Sequence, residues 1–71
     1  MTTYANLGGN SNIRAYEFGT DCIKVQFNDF SVYEYTANSA GLENLNIMKT
    51  LANQGRGLNS FIMKNAKYKY I

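Results

Sequence analysis

Apolar and polar residues alternate most clearly over positions 22–27. The apolar members of this segment are Ile23, Val25 and Phe27. Alternation with a period of two is typical of a strand that buries one face. We therefore predict a strand here, and the β-branched and aromatic residues of 13–18 and 31–36 predict a strand on either side of it.

Turn-forming residues separate the three predicted strands. The segment 19–21 lies between the first two strands, and Asn28 and Asp29 lie between the second and the third. Connections this short join antiparallel neighbours, so we expect the three strands to form a meander.

The pattern changes to a helical period after Ala37. Apolar residues then recur at spacings of three or four, at Leu42, Leu45, Met48, Leu51 and Ala52. Such a stripe predicts one amphipathic helix. Asn38 or Ser39 could cap its start, because either side chain can accept from first-turn N–H groups. Gly55 would end the helix in the left-handed conformation.

The rest of the chain carries shorter patterns. Residues 1–10 are polar and contain two glycines, and we expect a flexible tail or a short strand there. A second short helix is predicted from Leu58 or Asn59, and Leu58, Phe61 and Ile62 would face inward.

A last strand is predicted over 67–71, where lysines and tyrosines alternate. The chain is thus expected to have an α+β fold. It would contain a three-stranded antiparallel meander plus a C-terminal strand, with one amphipathic helix and one short helix packed on one face. A length of 71 residues fits a single domain, which we expect over residues 11–71.

Composition argues against several function classes. Cys22 is the only cysteine and the chain has no histidine. An internal disulfide is therefore impossible, a nucleophile would lack its usual base, and zinc would find a poor ligand set. We predict a protein without catalytic activity or cofactor. The unpaired thiol and the lack of a signal-peptide or membrane-span pattern predict a cytoplasmic protein without membrane contact.

The net charge of +2 is unevenly distributed. Residues 40–71 contain five of the seven cationic residues and one of the five acidic residues. A basic C-terminal part indicates an anionic partner, although solvated charges that keep a protein soluble give the same pattern.

A set of short motifs lies in order between residues 11 and 68. These motifs are Ser11-Asn12-Ile13, the alternating Ile23, Val25 and Phe27, Tyr33-x-Tyr35, Gly55-Arg56 and Asn59-x-x-Ile62. Their order and spacing resemble the KTSC domain, a family named after its occurrence at the C-terminus of some lysyl-tRNA synthetases and also found as stand-alone bacterial and phage proteins. Two positions depart from the family pattern: Phe30 replaces a turn glycine, and Thr36-Ala37-Asn38 replaces a Val-Pro before the helix. The resemblance implies the fold given above and, from the synthetase setting, RNA binding.

Two groups of residues in the middle of the chain are candidate ligand contacts. Tyr33 and Tyr35 share one strand face, where they could stack on bases or else line the core with Phe27. Arg56 lies between two glycines, where it could bind phosphate or else occupy an exposed turn after a helix cap.

The C-terminal lysines form the last candidate group. In a strand, Lys67 and Lys69 would lie on one face, with Tyr68 and Tyr70 on the other. These lysines, with Lys64, could follow a phosphate backbone or guard an edge strand against aggregation. The complete set of candidate nucleotide- or RNA-binding residues is Tyr33, Tyr35, Arg56, Asn59, Lys64, Lys67 and Lys69.

The leading hypothesis is a small non-catalytic module that binds an anionic nucleotide-type ligand, RNA first. An alternative is a stand-alone homo-oligomeric inhibitor or adaptor, for instance encoded by a phage, that sequesters a nucleotide messenger or covers a host protein. A third is a structural domain without a dedicated ligand. Self-association would add stability to a chain whose length buries only roughly 60% of the unfolded surface.

Overall fold

The computed structural model describes residues 1–9 and 11–71, and an antiparallel sheet organises them. Its four strands are β1 (Thr2–Thr3), β2 (Ile13–Phe18), β3 (Cys22–Phe27) and β4 (Val32–Thr36), which neighbour one another in that order. The predicted three-stranded meander is therefore confirmed as β2–β3–β4. Together with the helices on one face, it gives the α+β fold expected from the sequence.

One face of the sheet forms half of the core. Ile23 and Val25 of β3 are completely buried, and they pair across the ladder with Tyr35 and Tyr33 of β4. Because directly opposed residues share a face, both tyrosines lie on the core side. The alternation predicted for β3 is confirmed at Ile23 and Val25, because Lys24 between them is only half-buried, whereas Phe27 is half-buried like Gln26.

The predicted amphipathic helix is present but divided. Helix α1 spans Ala37–Ala40 and α2 spans Leu42–Gln54, with Gly41 at φ 92° between them. The residues that α2 buries are Leu45, Met48 and Ala52. Leu42, which the sequence places in the apolar stripe, is instead 60% exposed at the first position of α2, directly after the break at Gly41.

The cap of α1 differs from the prediction of Asn38 or Ser39. Thr36 is the N-cap: its hydroxyl oxygen accepts from the Ser39 N–H, and the Ser39 hydroxyl oxygen accepts from the Thr36 N–H, both at 2.9 Å. The helix begins earlier than predicted because β4 leads into it without a loop. At the other end, Gly55 has φ 76° and donates to the Leu51 carbonyl, which confirms the predicted C-cap.

The second helix begins at Leu58, as predicted. Helix α3 spans Leu58–Phe61 and continues as a π-helical segment, Ile62–Ala66. Leu58 and Ile62 are completely buried and Phe61 is half-buried, so the predicted inward residues are confirmed.

Of the two alternatives for the N-terminal residues, the structure has the short strand. Thr2 and Thr3 pair with β2, and the next residue, Tyr4, is only 3% exposed. The Tyr4 hydroxyl accepts from the Leu58 N–H at 3.4 Å, and the Leu7 N–H donates to the Gly55 carbonyl at 2.7 Å. Tyr4 is thus part of the core, and the N-terminal segment is hydrogen-bonded to the junction between α2 and α3.

The predicted C-terminal strand is wrong. Lys67 has helical dihedral angles and the chain then turns, with the Lys69 N–H donating to the Ala66 carbonyl. Near its end, the Ile71 N–H donates to the Glu34 carbonyl on the edge of β4. Helical turns continue into the segment where lysines and tyrosines alternate. These residues therefore do not alternate between the two faces of a strand. Among the described residues, no helix is both long and apolar enough to cross a bilayer.

Candidate functional site

A groove of about 490 Å³ lies between the β3–β4 hairpin and the C-terminal segment. The hairpin side is lined by Phe27, Asn28, Asp29, Ser31, Tyr33 and Tyr35. The opposite side is lined by Asn59, Met63, Lys67, Tyr68 and Tyr70, and Asn12 lies at one end. We call this feature the aromatic groove, because five of its residues carry a six-membered ring.

Tyr33 and Tyr35 reach the aromatic groove from the sheet. They lie two residues apart on β4, and their side chains therefore point to the same side. Tyr35 is 1% exposed and Tyr33 is half-buried. Both rings thus pack against the core, and both also form part of the groove wall.

The β3–β4 turn supplies a carboxylate to the groove. The Phe30 N–H donates to the Phe27 carbonyl, and Phe30 itself has φ 69°. The Asp29 Oδ1 atom accepts from the Ser31 hydroxyl at 2.6 Å and from the Ser31 N–H at 3.0 Å. The hydroxyl bond, followed by the N–H bond, holds the pKa of Asp29 below its usual value. Asp29 is therefore an ionised acceptor at the turn.

A helical spacing positions the opposite wall. Asn59, Met63 and Lys67 follow one another at intervals of four residues, and such residues lie on one side of a helix. The Lys67 ammonium lies 5.4 Å from the centre of the Tyr68 ring, and Tyr68 is 77% exposed. A cation and an open aromatic face are therefore adjacent at the mouth of the groove.

Aromatic rings pack against one another around the buried Tyr35 in the groove wall. The ring centres of Tyr33 and Tyr70 are 4.6 Å apart, and those of Tyr35 and Tyr70 are 6.2 Å apart. Phe27 packs edge-on against Tyr33 at 5.6 Å. Burial, and then the nearby phenols of Tyr33 and Tyr70, raise the pKa of Tyr35 to about 12. The Tyr35 hydroxyl is therefore neutral at physiological pH.

The aromatic groove unites four of the seven residues proposed from the sequence. These four are Tyr33, Tyr35, Asn59 and Lys67. Arg56, Lys64 and Lys69 are exposed but do not line the groove. The expected separation of lysines from tyrosines also fails, because Lys67 lines the same groove as Tyr68 and Tyr70.

The N-terminal segment packs against the turn around Arg56, where the sequence offers a phosphate site. Gly55 is buried, and a Cβ atom placed on it would lie 2.6 Å from the Ala5 Cβ atom. The Tyr4 hydroxyl already accepts from the first N–H of α3. The N-terminal segment therefore crowds Gly55, whereas Gly57 lines a small cavity of about 200 Å³.

Sequence reasoning missed several groove residues. The sequence predicts Tyr68 and Tyr70 on the face opposite the lysines, whereas in the structure both line the groove together with Lys67. Met63 could have been found from its spacing of four to Asn59 and to Lys67. Asn12 and Asn28 meet because the Asn28 N–H donates to the Asn12 carbonyl beyond the strand ends, a pairing that no sequence pattern signals.

The described residues contain no group of three or more histidine, cysteine, aspartate or glutamate side chains that could hold a metal ion. Comparisons with protein-family models, with curated proteins and with solved structures gave no match to this chain. The aromatic groove is therefore the feature from which a function can be proposed.

Proposed function

We propose that the protein is a small, cytoplasmic, non-catalytic module that binds one nucleotide-type unit in the aromatic groove. The unit would be a free nucleotide or an unpaired nucleotide of RNA. The observation that carries the proposal is that Lys67 lies next to the solvent-exposed ring of Tyr68 at the mouth of the groove. A base can stack on such a ring, and the ammonium can pair with the phosphate beside it.

The size and the polar groups of the groove support the same ligand. A volume of about 490 Å³ lies within the range of roughly 300–1,000 Å³ that is usual for small-molecule sites. Asn12, Asn28 and Asn59 contribute side-chain amides, each of which can both donate and accept. Aromatic walls with a few polar groups suit a flat, polar heterocycle.

The distribution of cations favours a single nucleotide over an extended backbone. Lys67 lines the groove, while Arg56, Lys64 and Lys69 do not. Binding of RNA would thus involve about one phosphate contact in the groove, and its affinity should fall with a slope of about −0.7 in log K against log salt. If all four cations followed an RNA backbone, the fall in affinity with salt would be steeper.

The resemblance to the KTSC family stays a prediction, and one structural detail is consistent with it. The family usually has a turn glycine where this chain has Phe30. Phe30 has a positive φ of 69°, a conformation that glycine adopts without strain.

Titration calorimetry with nucleoside 5′-monophosphates and with a short single-stranded RNA at low salt tests the proposal. Lys67→Ala and Tyr68→Ala should each weaken binding about tenfold, because they remove the phosphate partner and the stacking ring. Lys64→Ala is the matched control, since Lys64 has the same charge and lies outside the groove. The proposal is wrong if neither ligand binds at low salt, or if Lys64→Ala weakens binding as much as Lys67→Ala does.

The homo-oligomeric inhibitor or adaptor remains the alternative. The same groove would serve a protein that sequesters a nucleotide messenger. Native mass spectrometry separates the two, because it reports the subunit count and any retained small molecule together. A strictly monomeric protein without retained ligand would count against this alternative.

A further inference from the structure

Two tyrosine rings from distant parts of the chain are in contact in the wall of the aromatic groove. Tyr33 lies on β4, and Tyr70 lies in the segment that follows the last helical turn. Their ring centres are 4.6 Å apart and their planes are inclined by 51°. This separation is close to the lower end of the range of about 4.5–7 Å that is usual for packed aromatic pairs. The two phenol rings are therefore in van der Waals contact.

Among the described residues, three other tyrosines lack a second phenol as a close neighbour. Tyr4 is 3% exposed, and its hydroxyl accepts from a backbone N–H. Tyr16 packs against Phe18, which has no hydroxyl. Tyr68 is 77% exposed, but the group beside its ring is the ammonium of Lys67.

Tyr35 is the second neighbour of Tyr70, and it is the poorer partner. Their ring centres are 6.2 Å apart and their planes are almost perpendicular, at 86°. Tyr35 is 1% exposed, and burial raises its pKa to about 12. A phenol that becomes a neutral radical must lose a proton together with an electron, and a buried phenol gives up its proton less readily. Tyr33 is only half-buried and Tyr70 is 39% exposed, so these two rings are the pair that is open to oxidation.

We infer that Tyr33 and Tyr70 form an oxidative modification site, at which a carbon–carbon bond joins their rings. A one-electron oxidant, such as hydrogen peroxide activated by a peroxidase, takes one electron from each phenol, and each phenol releases its proton. The two radicals couple at ring carbons next to the hydroxyl groups. The hydrogens on those carbons then move to the oxygens and restore both phenols. Two hydrogens are lost in total, and the hydrogen peroxide that accepts them becomes two molecules of water.

The new bond would fix the two walls of the aromatic groove to each other. Tyr33 is held in the sheet by the pairing of β4 with β3. The backbone hydrogen bond described between the C-terminal segment and β4 is the one from the Ile71 N–H to the Glu34 carbonyl. Tyr70 is therefore the ring that can shift into the geometry for coupling. After coupling, the C-terminal wall can no longer separate from the hairpin wall. This cross-link does not depend on nucleotide binding.

Oxidation of the dilute, purified protein by a photo-excited ruthenium complex, with persulfate as the final electron acceptor, tests for the cross-link. We expect the monomer to lose the mass of two hydrogens in intact mass spectrometry. We also expect it to gain the blue fluorescence of coupled tyrosines. The same oxidation in concentrated urea should give no preferred pair, because the unfolded chain does not hold Tyr33 and Tyr70 together.

The sequence allows proteases to identify the linked residues. Trypsin cleaves after Lys67 and after Lys69, so it places Tyr68 and Tyr70 in different fragments. The expected product is the fragment 70–71 joined to the fragment 25–49. Cleavage after Glu34 then separates Tyr33 from Tyr35 and shows which of them carries the link.

Two variants complete the test. Tyr70→Phe keeps the packed ring but has no phenol, and it should abolish the cross-link. Tyr68→Phe is the matched control and should leave the yield unchanged, although Tyr68 is the more exposed ring. The inference is overturned if the folded monomer loses no hydrogens, or if the link joins Tyr68 or Tyr35. A link that survives Tyr70→Phe, or that forms equally well in urea, overturns it too.

Discussion

At the scale of single residues, Phe30 combines an unfavourable backbone conformation with a favourable side-chain contact. Its φ of 69° lies in the left-handed region, which phenylalanine seldom adopts. The Arg14 guanidinium carbon lies 4.4 Å from the centre of the Phe30 ring, and an exposed contact of this kind contributes about 0.5–1 kcal/mol. The contact offsets part of the backbone strain.

Phe30→Asn should separate these two contributions. Asparagine tolerates the left-handed region, so the substitution relieves about 1 kcal/mol of strain while it removes the contact with Arg14. In a protein that already carries Arg14→Ala, the free energy of unfolding should rise by about 1 kcal/mol. In the wild type the increase in the free energy of unfolding should be smaller, because Phe30→Asn also removes the contact with Arg14. Urea denaturation of the four proteins measures both differences, and equal gains would show that the Arg14 contact contributes nothing.

Tyr35 makes the stability of the protein depend on alkaline pH. Its pKa is about 12 in the folded protein against an ordinary value of 10.0, so the folded state holds the phenol proton more tightly than the unfolded state does. The stabilisation is complete below pH 10 and is lost as the pH rises toward about 12. We expect the free energy of unfolding to fall across this range, and to fall less in Tyr35→Phe. Denaturation at several alkaline pH values measures it, and identical slopes in both proteins would contradict the assignment.

At the scale of elements, periodicity predicted most of the structure correctly. Strand β3 and helix α2 each bury one side, and the spacing of their apolar residues in the sequence predicts it. Strand β1 escaped a firm prediction because two residues are too few to show a period. The C-terminal lysines and tyrosines do alternate with a period of two, but in the structure the chain continues from a helical segment there instead of forming a strand.

The junction between α2 and α3 gives a prediction about two neighbouring glycines. Gly55 and Gly57 have similar positive φ values of 76° and 82°. A Cβ on Gly55 would lie 2.6 Å from the Ala5 Cβ, whereas on Gly57 its nearest neighbour would be a Leu51 methyl at an ordinary 3.6 Å. Gly57→Ala should therefore cost about 1 kcal/mol from backbone strain alone, and Gly55→Ala clearly more.

Thermal or urea unfolding of the two alanine variants measures the difference between them. Since the strain is matched, the excess loss in Gly55→Ala reports the contact with the N-terminal segment. A deletion of residues 1–7 would be too disruptive a control, because it removes the buried Tyr4 ring as well. Equal losses in the free energy of unfolding of the two variants would mean that Ala5 shifts aside without a cost in stability.

At the scale of the whole molecule, the aromatic groove is assembled from three parts of the chain. Asn12 comes from before the first long strand, one wall from the β3–β4 hairpin, and the other from the segment 59–70. Residue type and the alternation of side chains along a strand were enough to select Tyr33 and Tyr35. The placement of Arg56 and Lys69 outside the groove could not be predicted, because it depends on how the helices and the last residues turn in space.

The hydrogen bond between Tyr4 and Leu58 joins residues that are 54 positions apart. On a ribosome that adds 5–20 residues per second, Leu58 is made roughly 3 to 11 seconds after Tyr4. Helix α2 is completed at Gln54, only four residues before Leu58, so for most of that interval the apolar side of β3 lacks its helical cover. The nascent chain must therefore finish folding after most of it has been synthesised, and until then it exposes the surface that chaperones bind.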